Sequence, residues 1–94
     1  MSRTKTDAEI AAGKLISAIQ KEWGEQLGYS IAEESESIMN LAHELLQARS
    51  AQAMIRVLDG KSARDFLGAE WVEAHASVQY LIDKLEQAIT NESA

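Results

Sequence analysis

The sequence contains no cysteine, no proline and only five glycines among its 94 residues. The absence of cysteine excludes disulfide bonds, thiolate metal ligands and a cysteine nucleophile. Proline and glycine are the residues that most often interrupt helices, and apolar residues do not alternate with polar ones as they do in strands. We therefore predict an all-α chain that is stabilised by helix packing.

Long apolar runs are also missing from the sequence. No stretch approaches the eighteen or more consecutive apolar residues that a membrane-spanning helix needs. The first residues likewise lack the apolar segment of a signal peptide. From the sequence we expect a cytoplasmic protein with no membrane partner.

Charge is abundant and unevenly distributed. Fifteen acids stand against nine bases, for a net charge of −6, and residues 22–48 contain acids but no lysine or arginine. An acidic chain argues against direct binding of nucleic acid, because neutralising phosphates requires a basic face. One basic group could contact an acidic surface, although three of its members flank a helix end, where cations offset the helix dipole. Its members are Arg49, Arg56, Lys61 and Arg64.

The middle of the chain predicts one long helix. Ser30 and Glu33 have the spacing of a capping box, and apolar residues then recur at steps of three and four as far as Leu58. Gly60 is the expected stop. At about 1.5 Å per residue this helix would be a rod of about 40 Å, which we interpret as the central helix of the fold.

Shorter helices are predicted on both sides of this rod. Thr6 and Glu9 form a second capping box, so we expect residues 1–6 to be a flexible N-terminal tail and residues 7–91 to be a single helical domain. A short helix is predicted at about 62–67, and after a break at Gly68 the apolar spacing from Trp71 to Ile89 predicts the final helix. The predicted fold is an antiparallel three-helix bundle with a long central helix and one extra short helix. Its core would include most of the five aromatic residues, which are Trp23, Tyr29, Phe66, Trp71 and Tyr80.

No motif for catalysis or metal binding is complete. His43 and Glu44 begin a zinc-protease motif, but Gln47 stands where the second histidine is needed. Lys61 and Ser62 follow Gly60 as in a phosphate-binding loop, but Ile55 occupies the place of the other essential glycine. We therefore predict no catalytic residues, no metal, no cofactor and no enzymatic activity.

Two functional hypotheses follow from the acidic segment. The first is a non-catalytic protein–protein interaction module, such as a small acidic helical inhibitor, immunity protein or adaptor, that binds a basic partner, including one that itself binds nucleic acid. The alternative is a homodimeric structural or regulatory module without a separate acidic surface, in which the long middle helix outreaches its neighbours. The candidate partner-binding residues are Glu22, Glu25, Glu33, Glu34, Glu36 and Glu44.

Overall fold

The computed structural model describes residues 5–93, which are mostly helical and include no β-strand. The prediction of an all-α chain is confirmed, but residues 5–93 form six helices rather than four. None of these helices is long and apolar enough to cross a bilayer. The helices are α1 (Asp7–Glu25), α2 (Ile31–Ala48), α3 (Ala51–Leu58), α4 (Ala63–Leu67), α5 (Ala69–Ala74) and α6 (Ala76–Ser93).

Helix α1 begins where the sequence predicts. The Thr6 hydroxyl accepts a hydrogen bond from the Glu9 amide at 3.1 Å, and the Glu9 carboxylate accepts one from the Thr6 amide, so the capping box is complete. The Asp7 amide donates to the carboxylate of Glu92 on α6 at 2.8 Å. Thr6 of the predicted tail thus belongs to the α1 cap, whereas residues 1–4 lie outside the described residues.

The predicted long middle helix is wrong, because it is broken at Arg49 and Ser50. Arg49 has a φ of 67°, in the left-handed region, and ends α2. Ser50 is extended and caps α3 by accepting a hydrogen bond from the Ala53 amide at 3.2 Å. The rod of about 40 Å that suggested a homodimer is therefore absent, and self-association stays a prediction.

The predicted capping box at Ser30 is also wrong. Ser30 has helical angles, with φ −61° and ψ −29°, and its side chain makes no cap hydrogen bond. Backbone turns lead into α2 instead, since the Ala32 amide donates to the Tyr29 carbonyl at 3.1 Å. An N-cap hydroxyl accepts a hydrogen bond from the amide three residues later when the cap residue has an extended backbone. The backbone of Ser30 is helical instead.

The end of α3 and the whole of α4 follow the prediction closely. Asp59 and Gly60 both have positive φ, 52° and 82°, so the helix stops within two residues of the predicted glycine. Ser62 caps α4 by accepting a hydrogen bond from the Asp65 amide, and Glu86 of α6 accepts one from the Ala63 amide at 2.8 Å. Gly68, with φ 123°, ends α4 as predicted.

The predicted final helix is interrupted at His75, which corrects the expectation of one helix from Trp71 to Ile89. His75 has φ −126° and ψ 77°, and its amide donates to the Val72 carbonyl rather than to that of Trp71. The Trp71 carbonyl instead accepts a hydrogen bond from the His75 ring at 2.7 Å. In a continuous helix the His75 amide would donate to the Trp71 carbonyl. Because the His75 side chain occupies that carbonyl instead, α5 and α6 are separate helices.

Helix α1, not the middle segment, is the central element, because it packs against both α2 and α6 while those two make little direct contact. Helix α6 runs antiparallel to α1, since Ser77 bonds to Glu22 at one end of the pair and Glu92 bonds to Asp7 at the other. Every helix contributes to one core, whose largest fully buried apolar side chains are Leu15, Ile19, Leu45, Met54, Leu67, Val72, Val78, Ile82 and Leu85.

Candidate functional site

Helix α2 carries a row of exposed carboxylates. Glu33 and Glu44 are eleven positions apart, which is close to three turns, so they lie on one face about 16 Å apart along the helix. Glu36 lies between them on the same face, and Glu34 stands at its side; all four are exposed. We call Glu33, Glu36 and Glu44 the acidic row. No lysine or arginine lies on α2, so no cation of this helix offsets the row.

Exposed apolar residues lie beside the acidic row, at the turn between α1 and α2. Leu27 is 56% exposed, Tyr29 72% and Ile31 38%. Gly28 has φ 95°, a conformation that favours glycine, and so lets the chain reverse there. We call residues 25–34 the α1–α2 corner. It combines apolar side chains with the carboxylates of Glu25, Glu33 and Glu34, which are exposed.

The predicted site residues are thus only partly brought together. Glu33, Glu36 and Glu44 share the outer face of α2, and Glu25 and Glu34 belong to the corner. Glu22 is half-buried, and its carboxylate accepts a hydrogen bond from the Ser77 hydroxyl at 2.9 Å. Glu22 therefore lies at the contact between α1 and α6 and not on the acidic row.

Two tyrosines contradict the expectation that most aromatic residues are buried. Tyr29 and Tyr80 are 72% and 64% exposed, whereas Trp71 is buried and Trp23 and Phe66 are half-buried. A phenol ring presents a large apolar face at a small cost in conformational entropy, so an exposed tyrosine is a favourable contact residue for a partner.

A closed ring of hydrogen bonds lies behind the corner. The Trp71 indole N–H donates to the Ser35 hydroxyl at 2.9 Å, and that hydroxyl donates to Oε1 of Gln26 at 2.5 Å. The Gln26 amide nitrogen lies 2.8 Å from Nε2 of His75, and Nδ1 of His75 lies 2.7 Å from the Trp71 carbonyl. The indole and imidazole rings are stacked, with centroids 4.0 Å apart. We call these four residues the polar ring.

The hydrogen bonds of the polar ring all point the same way around it, since each residue donates to the next. An indole N–H can only donate, so the Ser35 hydroxyl accepts there and uses its own hydrogen toward Gln26. The Gln26 amide group then faces His75 and donates to Nε2, which leaves Nδ1–H to donate to the Trp71 carbonyl. Both imidazole nitrogens of His75 are therefore hydrogen-bonded. The polar ring joins the corner to α2 and to the junction of α5 and α6.

No family model, curated protein or solved structure matches the chain.

Sequence reasoning missed Gln26 and Ser35 as members of the polar ring. One signal for Ser35 is present in the sequence, because it lies three and seven positions before Ile38 and Ala42 and so shares the buried face of α2. A serine on such a face needs a buried hydrogen-bond partner. No comparable signal identifies Gln26.

The remaining polar groups do not assemble a chemical site within residues 5–93. Among these residues no three side chains of histidine, aspartate or glutamate are grouped so that they could hold a metal ion. The basic group is spread over several segments: Arg49 ends α2, Arg56 lies on α3, and Lys61 and Arg64 lie before and on α4. The acidic row and the corner are therefore the best-defined candidate surface.

Proposed function

We propose that the chain is a non-catalytic protein-interaction module that binds a basic protein through the acidic row and the α1–α2 corner. Such a module acts as an inhibitor, an immunity protein or an adaptor. In this proposal α1, α2 and α6 serve as an antiparallel three-helix scaffold that holds the surface in place. The observation that carries the proposal is the position of exposed Leu27 and Tyr29 next to a helix face with three carboxylates and no cation.

The two parts of the surface have different roles in the proposal. Carboxylates that are exposed and unopposed raise the rate of encounter with a basic partner, and they contribute less to how long the complex lasts. Apolar anchors that become buried, here Tyr29 and Leu27, supply most of the affinity. The polar ring supports both parts, because it fixes the end of α1 and the start of α2 against α5.

Neutralising the acidic row tests the first role. A variant with Glu33→Gln, Glu36→Gln and Glu44→Gln is compared with a control that neutralises three exposed acids elsewhere, by Glu70→Gln, Glu73→Gln and Asp83→Asn. Proteins captured from host extract by the wild type and the control, and lost by the row variant, are identified by mass spectrometry. With such a partner in purified form, we expect the row variant to associate about tenfold more slowly at low salt. Added salt should reduce the difference.

Removing the aromatic anchor tests the second role. Tyr29→Ala should speed dissociation of the same partner and cost about 2 kcal/mol of binding free energy, as truncation of a buried anchor does. Ile55→Ala, at an exposed apolar residue on α3 outside both surfaces, is the control and should leave the kinetics unchanged. The proposal is contradicted if no captured protein is lost by the row variant, or if a partner that is lost by it binds Tyr29→Ala with wild-type kinetics.

A further inference from the structure

A second surface of the molecule carries basic side chains, whereas the corner carries acidic ones. A groove of about 280 Å³ lies between α1 and α6, with Ile10 on one side and Tyr80 and Leu81 on the other. Ile10 is 43% exposed and Tyr80 64%. Lys14 and Lys84 line the same groove. We call it the α1–α6 groove.

The two lysines lie at the same level of the helix pair. Asp7 is opposite Glu92, and Glu22 is opposite Ser77, so opposed residues have numbers that sum to about 99. Lys14 and Lys84 satisfy this sum to within one position. Both ammonium groups therefore belong to one stretch of the groove, with the Lys84 ammonium 5.3 Å from the centre of the Tyr80 ring.

These charges are not neutralised by their neighbours on the helices. The residues three and four positions from Lys14 and Lys84 include no acid, and neither lysine is in an ion pair with any residue in the described range 5–93. The one carboxylate on the lining is that of Asp7, about 10 Å along α1 from Lys14. In a chain with a net charge of −6, this groove is a local positive site with apolar walls.

The corner and the groove are complementary in both charge and polarity. The corner presents Leu27 and Tyr29 among carboxylates, and the groove presents two lysines with Ile10 and Tyr80 on either side of them. A symmetric groove-to-groove contact would bring four lysines together, and a corner-to-corner contact would bring the glutamates together. Of the three pairings of these two surfaces, corner against groove is the one that pairs opposite charges.

The contact cannot form within one molecule. Ile10 and Glu25 are separated by about 22 Å along α1, and the groove lies on the α6 side of α1 whereas α2 packs elsewhere on it. We propose that a second copy of this chain occupies the groove, with its corner inserted head to tail. The inference rests on these two surfaces and holds whether or not a basic partner exists. Because the corner is used in both contacts, self-association competes with partner binding.

The strength of this contact is limited by its size. Stable complexes bury about 1,200 Å² or more, and a loop tip against one groove buries much less. The contact is heterologous, so each bound pair retains a free corner and a free groove unless a ring closes. The average mass should therefore rise gradually between about 20 µM and about 1 mM, and added salt should lower it.

Two variants separate the two halves of the contact. The groove variant carries Lys14→Glu and Lys84→Glu, and the corner variant carries Leu27→Ser and Tyr29→Ser; all four residues are exposed. The charge-matched control carries Arg56→Glu and Lys61→Glu, which are exposed and outside the groove, and Ile55→Ser is the apolar control. Far-ultraviolet circular dichroism and thermal melting establish that each variant is folded as the wild type. Sedimentation equilibrium then measures the mass of each variant and of their mixture.

We expect the groove variant and the corner variant to be monomeric when alone, with association weakened at least tenfold, and both controls to associate as the wild type does. An equimolar mixture of the two variants should form a dimer and stop there, since it offers one intact corner and one intact groove. A wild type that remains monomeric at about 1 mM overturns the proposal and leaves the groove for another occupant. So does a mixture that stays monomeric, or a pair of variants that each associate like the wild type.

Discussion

The indole N–H of Trp71 donates a hydrogen bond to the hydroxyl of Ser35 across 36 positions of sequence, at 2.9 Å. Ser35 is fully buried and Trp71 is 3% exposed, so this bond lies inside the core. It joins α5 to α2 behind the corner, and through Ser35 it also orients Gln26. The surface proposed for partner binding is thus supported by a buried polar contact.

Removing the Ser35 hydroxyl should destabilise the protein. Ser35→Ala leaves the Trp71 indole N–H and the Gln26 carbonyl oxygen without their partner, which should cost about 1–3 kcal/mol. Urea denaturation measures this free energy of unfolding. Ser37→Ala, at an exposed serine two positions away, is the control and should change the stability by less than about 0.5 kcal/mol. Equal stabilities for the two variants would contradict the buried network.

The direction of the polar ring predicts one tautomer of His75. Because the Gln26 amide donates to Nε2, the neutral imidazole should carry its hydrogen on Nδ1. Long-range proton–nitrogen correlation spectra at neutral pH distinguish the two tautomers. In Gln26→Leu nothing donates to Nε2, so the preference should weaken. A hydrogen on Nε2 in the wild type would reverse the assignment.

Leu45 should be among the most costly core residues to truncate. Its side chain is fully buried, and Leu45→Ala should cost about 2–5 kcal/mol through lost burial and the cavity that remains. Leu27→Ala, at a leucine that is 56% exposed, should cost less than about 0.5 kcal/mol. Thermal melting compares the two, because each 1 kcal/mol shifts the midpoint by about 4–8 °C in a chain of this size. An unchanged melting midpoint for Leu45→Ala would contradict the burial of this side chain in the core.

Ser30, before α2, and Ser50, before α3, test which of the two serines caps a helix. Ser50 accepts a hydrogen bond from the Ala53 amide as the cap of α3, so Ser50→Ala should cost about 1 kcal/mol. Ser30 makes no cap bond, and Ser30→Ala should cost less than about 0.5 kcal/mol. Chemical denaturation of both variants measures the difference. The reverse order would indicate that the chain uses the capping box read from its sequence.

Features that depend on residues a few positions apart were predictable from the sequence. The caps at Thr6 and Ser62 and the stop near Gly60 involve only neighbouring residues, whose types and spacing predict them. The same spacing at Ser30 gave no cap, because the backbone there is helical rather than extended. Periodicity likewise placed Leu15 and Leu45 in the core, because helical geometry puts residues three and four positions apart on one face. The exposed face of α2 with its carboxylates follows from the same geometry.

Features that depend on distant residues were decided only by the tertiary structure. Arg49 adopts a left-handed conformation that its residue type does not favour, and the break there separates α3 from α2, so that α3 packs against α6. The polar ring brings Gln26 together with His75, 49 positions away, and the side chain of His75 also divides the last helix. The Gln26–His75 contact has no local signature, because a hydrogen bond between distant segments depends on how the helices pack. The His75–Trp71 bond, in contrast, joins residues only four positions apart. The central position of α1, and the meeting of Lys14 and Lys84 in one groove, likewise depend on which helices pair.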